Sequence, residues 1–114
     1  MKSEKEIVDF LLEKDLRLKF LEDQVCDLEG DAKHEAIAFL GDFELVDWDE
    51  RKDRRECIEI AVVHFKDYGF YLKEVAIGEC HYSDVMIDGW PNEINYFTVD
   101  PVQTVTYDNE KAII

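Results

Sequence analysis

Chemistry in this chain would first be sought among its three cysteines and three histidines, because Cys57, His64, Cys80 and His81 fall in or beside one apolar stretch. A metal centre needs closely spaced ligands of the CxxC, HxxxH or CxH kind, and none of those spacings occurs. Cysteine and histidine inside apolar strands are ordinarily small buried hydrophobes and hydrogen-bonded imidazoles, so no metal and no cofactor is expected. The odd, widely spaced cysteines give no secretory framework, and a reduced compartment is expected. The only serines are Ser3 and Ser83, and neither sits in a GxSxG elbow. Cys80 and His81 are adjacent, so on a strand they point to opposite faces and cannot form a dyad. Glu79, Asp84 and Asp88 near a strand end offer paired carboxylates for acid–base work, but no histidine or arginine is clearly aimed at them. No DxDxDG calcium loop or phosphate-cradling glycine loop is present. The residues therefore predict no catalytic set and no enzyme.

Charge is the outlying property. The chain has 28 acidic against 13 basic residues, a net charge of −15, so nucleic acid and anionic membranes are disfavoured as direct partners. In DFELVDWDE, Asp42, Glu44, Asp47, Asp49 and Glu50 surround Trp48. Asp84, Asp88 and Trp90 repeat that mixture further on. Carboxylates interleaved with aromatics suit an Arg/Lys-rich surface, through charge-assisted hydrogen bonds, cation–π contacts and buried anchors. These nine residues are the candidate partner-binding set. The segment Arg51-Lys52-Asp53-Arg54-Arg55 is too short, and too surrounded by acid, for a nucleic-acid site.

The element that must position them is Cys57 to Gly78. Ile58, Ile60, Val62 and His64 alternate with Glu59, Ala61, Val63 and Phe65, and Phe70–Ile77 is broken only by Lys73 and Glu74. Both runs read as central strands, joined in a hairpin with Gly69 at a positive φ. Upstream, Ser3 and Glu6 form a capping box for a long helix expected to reach Leu28 and stop at Gly30. Ile7, Phe10, Leu11, Leu18, Leu21, Val25 and Leu28 lie on one stripe roughly 100° wide. Val8, Leu12, Leu16 and Phe20 form a flanking stripe that needs a neighbour, expected within the chain rather than from a second copy. A short helix capped by Asp31 should run to Gly41. From Asp42 the period becomes two, with Phe43, Leu45 and Asp47 opposite Glu44, Val46 and Trp48, an edge strand. Asp49–Glu56 reads as a charged connection. Weak strand character follows at Tyr82–Asp88, a turn at Asp88–Asn92, strands at Ile94–Val99 and Val102–Tyr107, and a frayed end.

The fold class implied is α+β: an N-terminal long helix and a short helix packed on one face of a four- to six-stranded, mainly antiparallel, meander-like sheet. One domain is expected over residues 1–114, with a helical part at about 3–40 and a sheet part at about 42–107. The charged first residues do not read as a signal peptide and no apolar run reaches membrane length, so the cytoplasm is the expected location, or the host cytoplasm for a phage-encoded chain. By size and charge alone, the chain is similar to small acidic inhibitors of nucleases, including anti-CRISPR and antirestriction proteins. That similarity implies a DNA mimic whose partner is a basic nucleic-acid-binding groove of a nuclease or effector. One alternative is a ligand-binding or enzymatic half-barrel, with His64, Tyr71, Cys80, His81 and Asp84 lining a cavity between sheet and helix. Another is a homodimeric structural or assembly protein that pairs through the flank of the long helix.

Overall fold

The computed structural model describes residues 1–81, 86–99 and 111–112. The expected strand at Val102–Tyr107 and most of the expected frayed end lie outside them, as does Asp84.

Helix α1 spans Glu4–Glu13 and begins in the expected capping box: Ser3 Oγ accepts from the Glu6 amide at 3.2 Å, and Glu6 Oε1 accepts from the Ser3 amide at 3.3 Å. It does not continue to Leu28. Asp15 takes φ 56°, its amide donates to the Leu12 carbonyl, and the Leu16 amide folds back on the Leu11 carbonyl at 2.8 Å. This is the Schellman termination, with aspartate in the position usually held by glycine. Arg17 is then extended, a 3-10 turn covers Leu18–Phe20, and α2 covers Leu21–Asp27. Periodicity missed the break because the same apolar spacing persists on both sides of it. The break carries the Arg17 guanidinium inward to the sheet, where it meets two carboxylates. Helix α3, Gly30–Leu40, ends at Gly41 with φ 67°. A Cβ at Gly41 would stand 2.4 Å from Asp67 Oδ2, the oxygen that accepts from the Asp42 amide.

Both stripes of the N-terminal helices find their neighbours within the chain. Ile7, Val8, Leu11, Leu16, Leu18 and Leu21 are buried, and Phe10 stacks on Phe39 of α3 with ring centroids 4.3 Å apart. The helices pack on one face of an antiparallel meander of β1 (Phe43–Asp53), β2 (Glu56–Phe65), β3 (Phe70–Glu79) and β4 (Glu93–Val99). The two-residue β5 (Lys111–Ala112) pairs with β4. The β2–β3 hairpin is registered Phe65 to Phe70, with Gly69 at φ 76° as its turn geometry requires. β1 is longer than expected: Asp49–Asp53 stays paired and the connection shrinks to Arg54-Arg55. Its alternating charges gave no hydrophobic signal, but an edge strand needs none on its exposed side.

Cys57, Glu59, Ala61, Val63 and Phe65 share the helix-side face with Phe70, Leu72, Glu74, Ala76 and Tyr96. Ile58, Ile60, Val62, His64, Tyr71, Lys73 and Val75 point the other way. The expected strand at Tyr82–Asp88 has no strand geometry over its described part, 86–88. Instead the Asp88 amide donates to the Glu79 carbonyl, and Ile87 and Pro91 lie over Gly78, where a Cβ would come within 2.7 Å of Ile87 Cγ2. Cys57 and Cys80 form a disulfide, where the spacing suggested two isolated thiols. Strand register decides this pairing: Cys57 lies opposite Gly78, and Cys80 follows two residues later beside Arg55.

Candidate functional site

Among the described residues β1 is the edge strand at one end of the sheet, and its geometry turns on one residue. The register with β2 slips between Leu45 and Asp47, leaving Val46 as a bulge. A one-residue slip exchanges the faces of everything beyond it. Leu45 lies opposite Val63, and beyond the bulge Trp48 lies opposite Ala61, both partners being helix-side residues. Phe43, Leu45, Trp48 and Glu50 therefore share the helix side, while Glu44, Asp47 and Asp49 share the other. Strict alternation had put Asp47 with Phe43 and Trp48 with Glu44; the bulge corrects it. The result is an edge with an apolar flank and an acidic flank.

Trp48 is 56% exposed and Trp90 44% exposed. Asp42, Glu44 and Asp49 are exposed and Asp47 half-buried, with Glu44 making a surface pair with Lys66 at 3.4 Å. Asp47 Oδ1 accepts from the Trp48 amide and Asp49 Oδ1 from the Glu50 amide, each at 2.9 Å. These two carboxylates thus occupy outward amides that a further strand would need. Glu50 differs from the rest of the expected set: it turns to the helix layer and pairs with Lys19. Asp88 is exposed and contacts His81 at 3.1 Å beside a cleft of about 390 Å³ lined by Arg55, Glu79 and Cys80. Lys52 donates to the His81 carbonyl at 2.8 Å, which places the Asp88 segment near the far end of β1 from Asp42.

A second feature was missed from sequence: a buried charge cluster between helices and sheet. Arg17 Nε donates to Glu74 Oε1 at 2.7 Å, and Arg17 Nη2 to Glu59 Oε1 at 2.9 Å, with all three side chains at most 5% exposed. Glu74 Oε2 accepts from the Leu18 amide at 3.0 Å and the Tyr96 hydroxyl at 2.8 Å. Glu59 Oε2 accepts from the Ile87 amide at 3.3 Å and lies 3.6 Å from Lys19 Nζ. Lys19 also packs against the rings of Phe20 and Trp48. Burial opposes the charge on Arg17, but Glu74 and Glu59 more than compensate and hold its pKa above the ordinary value. For Lys19 burial wins and the pKa is lowered. The available signal was a glutamate in each of two strands apolar on both faces, since a buried carboxylate needs a partner. Every carboxylate oxygen here is engaged, so the cluster is a clamp joining the Arg17 segment, the central hairpin and the 87–91 loop.

Among the described residues, those expected to line a cavity between sheet and helix do not share one face. His64 and Tyr71 stack on each other on the face away from the helices, 4.2 Å between centroids, whereas Cys80 bonds to Cys57 on the helix side. No protein-family model, curated protein or solved structure matches the chain.

Proposed function

We propose that this chain is a non-catalytic acidic binding module that engages a basic, nucleic-acid-binding surface of a larger protein, of the kind found on nucleases. The observation that supports this reading is the split edge of β1. Glu44, Asp47 and Asp49 line one flank, and Trp48 stands exposed on the other. Carboxylates at alternate strand positions recur about every 7 Å. On a chain carrying −15 they set a field that draws in Arg and Lys side chains and repels nucleic acid. Trp48 supplies the aromatic anchor that such interfaces need near their centre. The module would act by occupying the groove where the partner expects phosphates, and so compete with its DNA or RNA.

The test is competition. Titrated against basic nucleases holding labelled duplex DNA, the chain should displace DNA from at least one of them, more weakly as salt rises. Reversal of Glu44, Asp47 and Asp49 to lysine should weaken displacement by about tenfold or more without unfolding the protein. Glu50 is left intact because it holds Lys19. Direct binding of DNA by the chain, or capture indifferent to salt and to these reversals, would sink the proposal.

A further inference from the structure

Beside the acidic flank, the helix-side flank of β1 carries a shallow groove. It lies where β1 meets α2 and α3, is lined by Glu22, Ile37, Asp42, Phe43, Glu44 and Leu45, and encloses about 420 Å³. Its surroundings are unusually apolar for a chain so charged: Ile37 is 50% exposed, Leu45 40%, Val46 39% and Trp48 56%. The charged residues lining it, Glu22, Asp42 and Glu44, are all acidic. An apolar floor with an acidic rim is complementary to an apolar stripe flanked by lysine or arginine.

We infer that this groove is a docking site for a cationic amphipathic helix of the partner protein, its apolar stripe set against Ile37, Phe43, Leu45 and Trp48 and its basic residues against Glu22 and Asp42. The inference rests on the binding-module reading above and names the shape of its partner. A helix is favoured over an added strand because strand addition needs free edge amides, and those of Trp48 and Glu50 are held by Asp47 and Asp49. Side chains at i, i+3, i+4 and i+7 can reach the groove without using the edge backbone. A second copy of this chain is disfavoured as occupant, since it brings another −15 to an acidic rim.

The probe is a synthetic Leu/Lys peptide of about three heptads with leucine at a and d. Its comparators are a scrambled peptide of the same composition and an oligoarginine peptide. The Trp90→Phe protein leaves Trp48 as the sole tryptophan reporter. The Leu/Lys helix should shift Trp48 emission and bind at least about tenfold more tightly than the scrambled peptide. Ile37→Lys and Leu45→Ser, both at exposed positions, should each remove most of that difference while the circular dichroism stays unchanged. Equal affinity for helical and scrambled peptides, or indifference to both substitutions, overturns the groove but leaves the acidic binding module standing if oligoarginine binds. Failure of all three peptides to bind overturns both readings. A doubled mass in light scattering that Leu45→Ser abolishes would assign the groove to self-association and overturn the helix.

Discussion

Arg17 and Glu74 meet at 2.7 Å in the interior, 57 residues apart in sequence. The same carboxylate takes the Leu18 amide and the Tyr96 hydroxyl on its other oxygen, so one side chain ties the interhelix break to two strands. Removing the Glu74 charge takes one of its two carboxylates from the buried Arg17 guanidinium, and breaking a buried pair costs about 3–5 kcal/mol. Glu74→Gln should therefore lower the urea unfolding free energy by roughly 3 kcal/mol. Glu13→Gln, exposed on the last turn of α1, should change it by less than about 0.5 kcal/mol. Near-equal effects of the two substitutions would show that the cluster contributes little.

Tyr96 gives the fold a dependence on alkaline pH. Burial first, and the Glu74 charge second, raise its pKa well above the ordinary 10.0. The folded protein therefore keeps this proton after the unfolded chain has released it. The stability from this group is fully present below about pH 10 and declines above it, by roughly 1 kcal/mol per pH unit. Tyr96→Phe should be less stable at neutral pH, through the lost hydrogen bond, yet fall off less steeply between about pH 10 and 11. Parallel curves for the two proteins in that range would count against Tyr96 as the group responsible.

The Cys57–Cys80 disulfide closes a loop of sequence separation 23 and sits at the end of the hairpin beside the 87–91 segment. Cross-links of this loop size commonly contribute about 2–4 kcal/mol, through the unfolded state. Reduction, or Cys57→Ala with Cys80→Ala, should lower the thermal midpoint, and amide exchange should quicken at Ile87 and Asp88 before the helices. Cys26 is exposed and free, so its alkylation should leave the midpoint unchanged.

Asp47 and Asp49 guard the edge of the sheet as well as charging it. Replacing both with threonine should expose the Trp48 and Glu50 amides on a strand-favouring surface and produce a mass that grows with concentration in light scattering. Asp42→Asn with Glu44→Gln removes the same charge without freeing those amides, and that protein should keep its mass. If both pairs of substitutions promote association alike, net charge and not amide capping is the protective factor.

The local patterns were sufficient for much of the fold. Strands apolar on both faces, turn glycines, a capping box and a helical stripe fix the α+β class, the central hairpin, the start of α1 and the identity of most core residues. All of these depend on neighbours a few residues apart. Tertiary structure decided the rest, because it depends on residues brought together from far along the chain. The helix breaks at Asp15 so that Arg17 can satisfy Glu59 and Glu74, 42 and 57 residues away. The bulge at Val46 is set by pairing with β2, and it alone assigns Trp48 to the apolar flank and Asp47 to the acidic one. Local residue pattern was enough to show that this chain builds an acidic, aromatic-bearing edge on an apolar hairpin. Only the packed sheet decided which side of that edge each residue faces, because face depends on register, and register is a property of two strands.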